Sequence, residues 1–120
     1  MAIFGRFRSK ERDVYSDTTR VMPIIDAVRA AIREAEKEFA GLRARLQETG
    51  DRAAFLLGDG VESDTTGDTS SEAALKEAEG FLVRGEMRSR YLTKQISTLN
   101  EIGELLSAVV KPETPPANRR

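Results

Sequence analysis

Apolar side chains, with a few small or polar exceptions, recur at alternating steps of four and three residues along two long stretches. In the first stretch the positions are Val21, Ile25, Val28, Ile32, Ala35, Phe39, Leu42, Leu46, Thr49, Ala53 and Leu56. In the second they are Leu75, Ala78, Leu82, Gly85, Ser89, Leu92, Ile96, Leu99, Gly103, Leu106 and Val110. A mean spacing of about 3.5 residues is typical of coiled-coil helices, whereas a strand needs period two. The pattern predicts an all-α protein.

Residues that break helices divide the chain into segments. An acidic stretch rich in Gly, Ser and Thr predicts a flexible connector, and the Pro-rich carboxyl-terminal segment predicts a disordered tail. We expect a basic, aromatic amino-terminal arm, then a helical hairpin with its connector, then the tail. The arm is 1–18, the hairpin is 19–110 with helices at about 19–57 and 70–110 and the connector at 58–72, and the tail is 111–120.

Three residues bear on the continuity of the first helix. Pro23 is tolerated in a first turn, so the helix either starts near Thr19 or is kinked at Pro23. The apolar spacing continues across Gly50, which favours an unbroken helix there. Gly58 suits the left-handed residue that often follows a helix, so we expect the helix to end near it.

Two helices of similar length joined by a connector should fold into a long antiparallel coiled-coil hairpin. We favour the register in which Leu46 faces Gly85 and Val28 faces Gly103, because large residues then meet small ones. In this register Arg43 lies opposite Glu86 and could pair with it. Arg45 lies opposite Arg88, a like-charge pair that counts against the register.

One flank of the predicted seam is apolar. The residues concerned are Ile24, Ala31, Ile102 and Val109. Two helices cannot bury this strip between them, so a second copy could cover it and form a four-helix bundle. The alternatives are a different protein partner, ordinary exposed surface, or coverage by the amino-terminal arm, residues 1–18, folding back.

The arm combines apolar and basic residues within a short segment. The residues that we single out are Ile3, Phe4, Arg6, Phe7, Arg8 and Lys10. Aromatic side chains among cations suit an anionic membrane surface, and they equally suit an acidic groove on a protein. The third interpretation is that this amino-terminal segment is disordered and that its phenylalanines have no role.

Composition excludes much of enzyme chemistry. The chain has no His and no Cys, which removes the usual general base, thiolate catalysis and the commonest zinc ligands. Residues 62–73 resemble a calcium loop at some positions, but Ala73 stands where the bidentate Glu is needed. We therefore expect no catalytic residues, no cofactor and no metal site. The net charge of −1 also argues against nucleic acid as a partner.

These observations favour a non-enzymatic coiled-coil interaction module: an adaptor, scaffold or small chaperone that self-associates, as a homodimer, and binds another protein. The alternative is a peripheral membrane protein anchored to anionic lipid by residues 2–12. The chain has no apolar run of about 20 residues, as a spanning helix requires. We expect a bacterial cytoplasmic protein, at the inner face of the membrane if the arm binds lipid.

Overall fold

The computed structural model describes the backbone of residues 2–62 and 69–110, and the side chains of residues 10–58 and 70–110. Two helices account for all of this backbone: α1, Ala2–Glu62, has 61 residues and α2, Thr69–Val110, has 42. The predicted all-α class is confirmed for these ranges.

The helices form two compact units, which we describe separately. The terminal unit comprises Met1–Arg33 and Ser97–Arg120, and the central unit comprises Glu34–Ile96. Each unit contains a stretch of both helices, and within each the two stretches pack against each other. The predicted helical hairpin is therefore confirmed. Pairing of hairpins into a four-helix bundle stays a prediction.

The central unit contains the best-packed core. Its buried residues all come from the 4–3 pattern, and they are Ala35, Leu42, Leu46 and Leu92, with Phe39, Phe81, Leu82 and Ile96 packed against them. Leu92 is fully buried. Along the helices Glu38 pairs with Arg88, Arg43 pairs with Glu86, and Leu46 contacts Gly85. Numbers rise on α1 while they fall on α2, so the stretches are antiparallel in the predicted register.

The terminal unit follows the same register. Val21 and Ile25 are its buried hydrophobic residues among those described. A β-carbon placed on Gly103 would lie 3.6 Å from Cγ1 of Val28, which is ordinary van der Waals contact. The predicted facing pair Val28 and Gly103 is thus observed.

Helix α1 is longer than the predicted range of about 19–57. It begins at Ala2, passes through Pro23 and ends at Glu62. A start near Thr19 is therefore wrong, and so is a helix end near Gly58. The segment before Pro23 contains no other proline, and its four Arg, one Lys and one Glu favour helix. The hydroxyl of Thr19 donates to the Tyr15 carbonyl at 2.8 Å.

The predicted connector overlaps both helices. Residues 58–62 belong to α1 and residues 69–72 belong to α2, while 63–68 lie outside the described residues. Five of the residues between 58 and 72 are acidic, and Gly58 and Gly60 disfavour helix, so local propensity does not explain why α1 continues to Glu62. The flexibility of the predicted connector is untested. The predicted tail, 111–120, also lies outside the described residues.

Candidate interaction surfaces

All four residues of the predicted apolar strip belong to the terminal unit. The exposed fractions are 48% for Ile24, 40% for Ile102 and 60% for Val109, whereas Ala31 is half-buried. In the register observed for this unit, Ile24 lies opposite Val109 and Ala31 lies opposite Ile102. The structure thus brings these four residues to one flank of one unit.

Sequence reasoning missed a fifth apolar residue on this flank of the terminal unit. Leu105 is 70% exposed and follows Ile102 by three residues on α2, with Val109 four residues further along. Residues at these spacings lie on one side of a helix. The 4–3 pattern did not select Leu105, because it belongs to neither the seam nor its immediate flank. We call Ile24, Ala31, Ile102, Leu105 and Val109 the apolar surface.

Ion pairs cross the seam of the central unit. Nη1 of Arg43 lies 3.1 Å from Oε2 of Glu86 and donates to the Ser89 hydroxyl at 3.4 Å, so the predicted pair of Arg43 and Glu86 is confirmed. Ser89 is the buried polar side chain of this seam, only 4% exposed. Arg43 therefore supplies a hydrogen-bond donor to an oxygen that packing removes from water.

The observed register leaves Arg88 opposite Arg45, but Arg88 does not remain without an acidic partner. Arg88 binds Glu38 through two hydrogen bonds, Nε to Oε2 at 2.9 Å and Nη2 to Oε1 at 3.1 Å. A long arginine side chain reaches a carboxylate further along α1, since forked pairing outweighs the local repulsion. The hydrogen bond from Arg88 lowers the pKa of the Glu38 carboxyl, and the same bond raises the pKa of Arg88.

We compared the chain with protein-family models, curated proteins and solved structures. No family model, curated protein or solved structure matches it.

The amino-terminal arm is helical in its backbone from Ala2 onward. Lys10 is exposed. The side chains of the other arm residues that we singled out lie outside the described residues, namely Ile3, Phe4, Arg6, Phe7 and Arg8. Within the described residues, neither α1 nor α2 is apolar over a long enough window to cross a membrane.

A shallow cleft of about 450 Å³ lies on one flank of the central unit. Arg45, Arg52 and Arg84 line it together with Phe81 and Leu56. Its charge is mixed, because Glu48 and Glu77 also line it and Glu48 pairs with Arg52 at 3.6 Å. Among the described residues, no three acidic side chains group closely enough to hold a metal ion.

Proposed function

We propose that this chain is a coiled-coil interaction module that works by self-association and by binding another protein. The observation that supports it is the apolar surface of the terminal unit. Ile102, Leu105 and Val109 together expose three large aliphatic side chains at helical spacing. Each such side chain contributes about 1.5–3 kcal/mol when it is removed fully from water. Covering such a surface with another protein therefore lowers the free energy.

The occupant that we favour is the same surface of a second copy. Two terminal units placed face to face would bury the apolar surfaces of both copies and form a four-helix bundle. This is the usual arrangement for paired hairpins. Ala31 and Ala27 on α1 are small residues, so a neighbouring helix could approach α1 closely. A different protein with a complementary apolar helix is the second occupant to consider.

The proposed role is that of an adaptor, scaffold or small chaperone rather than an enzyme. Because the chain has no His and no Cys, acid–base and nucleophilic catalysis would depend on carboxylates, Lys or Tyr. The carboxylates in defined ion pairs are between 46% and 70% exposed. A catalytic carboxylate usually needs a desolvated setting that shifts its pKa upward.

Two substitutions of matched exposure test self-association. Leu105→Glu places a charge in the apolar surface, and Phe55→Glu places the same charge on an apolar residue of the central unit that is 68% exposed. We expect Leu105→Glu to convert the dimer to a monomer at micromolar concentration, while Phe55→Glu remains dimeric. Circular dichroism must show both variants to be as helical as the parent. Equal dissociation by both substitutions would contradict the proposal.

Membrane anchoring by residues 2–12 is the second proposed function. It gains support from the helical backbone that begins at Ala2, because helical spacing places residues 3 and 7 one turn apart. Deleting residues 2–12 should then abolish binding to anionic vesicles. If neither form binds anionic vesicles at low salt, this function is wrong. A bacterial cytoplasmic location, at the inner face of the membrane if the arm binds lipid, stays a proposal; a fluorescent fusion tests it.

A further inference from the structure

A second exposed surface lies on α2 in the central unit. Three of its side chains are large and apolar: Val83 is 61% exposed, Met87 is 62% exposed and Tyr91 is 59% exposed. They follow one another at steps of four, so they lie on one side of the helix. The seam residues Gly85, Ser89 and Leu92 face α1 from the opposite side.

The cations of this stretch lie on the same side. At about 100° per residue, the positions of Arg84, Arg90 and Lys94 fall within the same third of the helix circumference as the three apolar residues. All three cations are exposed, and none forms an ion pair with another described residue. We call these six residues the basic face: Val83, Arg84, Met87, Arg90, Tyr91 and Lys94.

Acidic residues do not neutralise the basic face. Between residues 80 and 96 the single carboxylate is Glu86, and Arg43 of α1 holds it at 3.1 Å. Glu38 of α1 is held in the same way by Arg88 at 2.9 Å. Glu79, one turn before Val83, is exposed and borders the face, so three cations of the face stand against one carboxylate without an ion pair. The face keeps its positive charge.

Arg88 also positions the aromatic member of the face. Its guanidinium lies 5.6 Å from the centre of the Tyr91 ring, within the range of a cation–π contact. Because Glu38 fixes Arg88 by two hydrogen bonds, the ring has a defined neighbour on one side. Tyrosine has an apolar ring and a polar hydroxyl, which suits the boundary between lipid and water.

We propose that the basic face binds an anionic lipid surface. Its charge requires an anionic partner, and its three apolar side chains require a partner that also accepts hydrophobic groups. A lipid headgroup layer offers both. Within the central unit α1 packs on the side of α2 opposite Val83, Met87 and Tyr91, so these apolar residues lie on an open helix face and not in a groove. Arg84, at the edge of the face, also lines the cleft described above with residues of α1. An acidic peptide would need a groove for specific binding, whereas a membrane surface would not.

This inference is independent of the self-association proposed above and of the arm. The apolar surface and the arm belong to the terminal unit, whereas the basic face belongs to the central unit. A readout confined to the basic face can therefore separate the three proposals.

The first test uses charge reversal with a closely matched control. Arg90→Glu with Lys94→Glu changes the basic face, and Arg33→Glu with Lys37→Glu makes the same change at the same spacing on α1. Co-sedimentation of the full chain with vesicles of phosphatidylcholine and phosphatidylserine gives the affinity. We expect at least a roughly 25-fold loss for the α2 variant, since each cation contributes about fivefold. The α1 variant should lose much less. Equal losses would overturn the proposal.

The second test reports on position. The chain has no Trp, so a Tyr91→Trp variant carries a single fluorophore on the basic face. Its emission should shift to the blue on vesicles that contain phosphatidylserine, and not on phosphatidylcholine alone. A Phe55→Trp variant, on a comparably exposed residue of α1, should not shift. Vesicle binding without a shift of Tyr91→Trp would assign the binding to the arm and overturn the proposal. A shift with polyglutamate but not with vesicles would assign the face to an acidic protein.

Discussion

Leu46 of α1 packs directly on the backbone of Gly85 of α2, and it fills the space in which any other residue would place its β-carbon. From that position Cγ of Leu46 would be 3.1 Å away and Cδ1 would be 3.2 Å away, and Cδ2 would be closer still. Leu46 is buried, so it has little room to move aside. The contact fixes the register of the two helices in the central unit.

Gly85→Ala should therefore destabilise the protein, although alanine favours helix over glycine by about 1 kcal/mol. Overpacking of a core costs about 1–3 kcal/mol, which exceeds that gain or cancels it. Gly103→Ala is the matched control, because its β-carbon would meet Val28 at an ordinary 3.6 Å. We expect Gly103→Ala to stabilise and Gly85→Ala to destabilise in urea unfolding. Stabilisation by both would show that Leu46 does not pack on Gly85.

Leu92→Ala should cost about 2–5 kcal/mol of unfolding free energy, as is usual for a fully buried leucine. Leu92 is the most buried large side chain of the described residues, whereas Leu99 is half-buried. Leu99→Ala should therefore cost less than Leu92→Ala. Chemical denaturation of both variants checks the order, and the reverse order would contradict the packing described for α2.

Pro23→Ala tests whether α1 begins at Ala2 in solution. Inside a helix, Pro23 removes the N–H that would bond the Thr19 carbonyl, so alanine should raise stability by about 1–3 kcal/mol. Ser16→Ala on the same helix is the control for alanine's propensity, and it should change stability by less than about 0.5 kcal/mol. If Pro23→Ala has no larger effect than the control, the helix begins near Thr19 instead.

The pair of Glu38 and Arg88 predicts a dependence on pH. The pKa of Glu38 is lowered in the folded chain, so the stability that the pair contributes is present at neutral pH. That stability is lost as the pH falls through the lowered pKa. Both side chains are nearly half-exposed, so solvent screens the pair and its effect on stability is small. Arg88→Gln should return the Glu38 pKa to its ordinary range in an NMR titration, while Arg43→Gln leaves it lowered.

The seam could be predicted from the sequence because its physical cause is periodic. Every position of both 4–3 patterns is buried or half-buried, including the exceptions Thr49 and Ser89. The facing pairs followed from size, since Leu46 needs a small neighbour and Gly85 provides one. The pair of Arg43 and Glu86 followed from the same register.

Other features could not be predicted, because they depend on side-chain reach or on helix continuation. The spacing of Cα positions places Arg88 opposite Arg45, but the guanidinium of Arg88 extends to Glu38. Leu105 and the basic face point away from the seam, so the repeat that defines the seam carries no information about them. Pro23 is compatible with a helix that starts near Thr19, and Gly58 is compatible with a helix end, but both residues lie inside α1.

The proposed function requires self-association through the terminal unit. Sedimentation equilibrium of the intact chain over a range of concentrations measures it directly. We predict a mass of about twice the 13.3 kDa of one chain, with dissociation on dilution to a single lighter species. A mass of one chain at every concentration would contradict self-association and leave the apolar surface to a different protein.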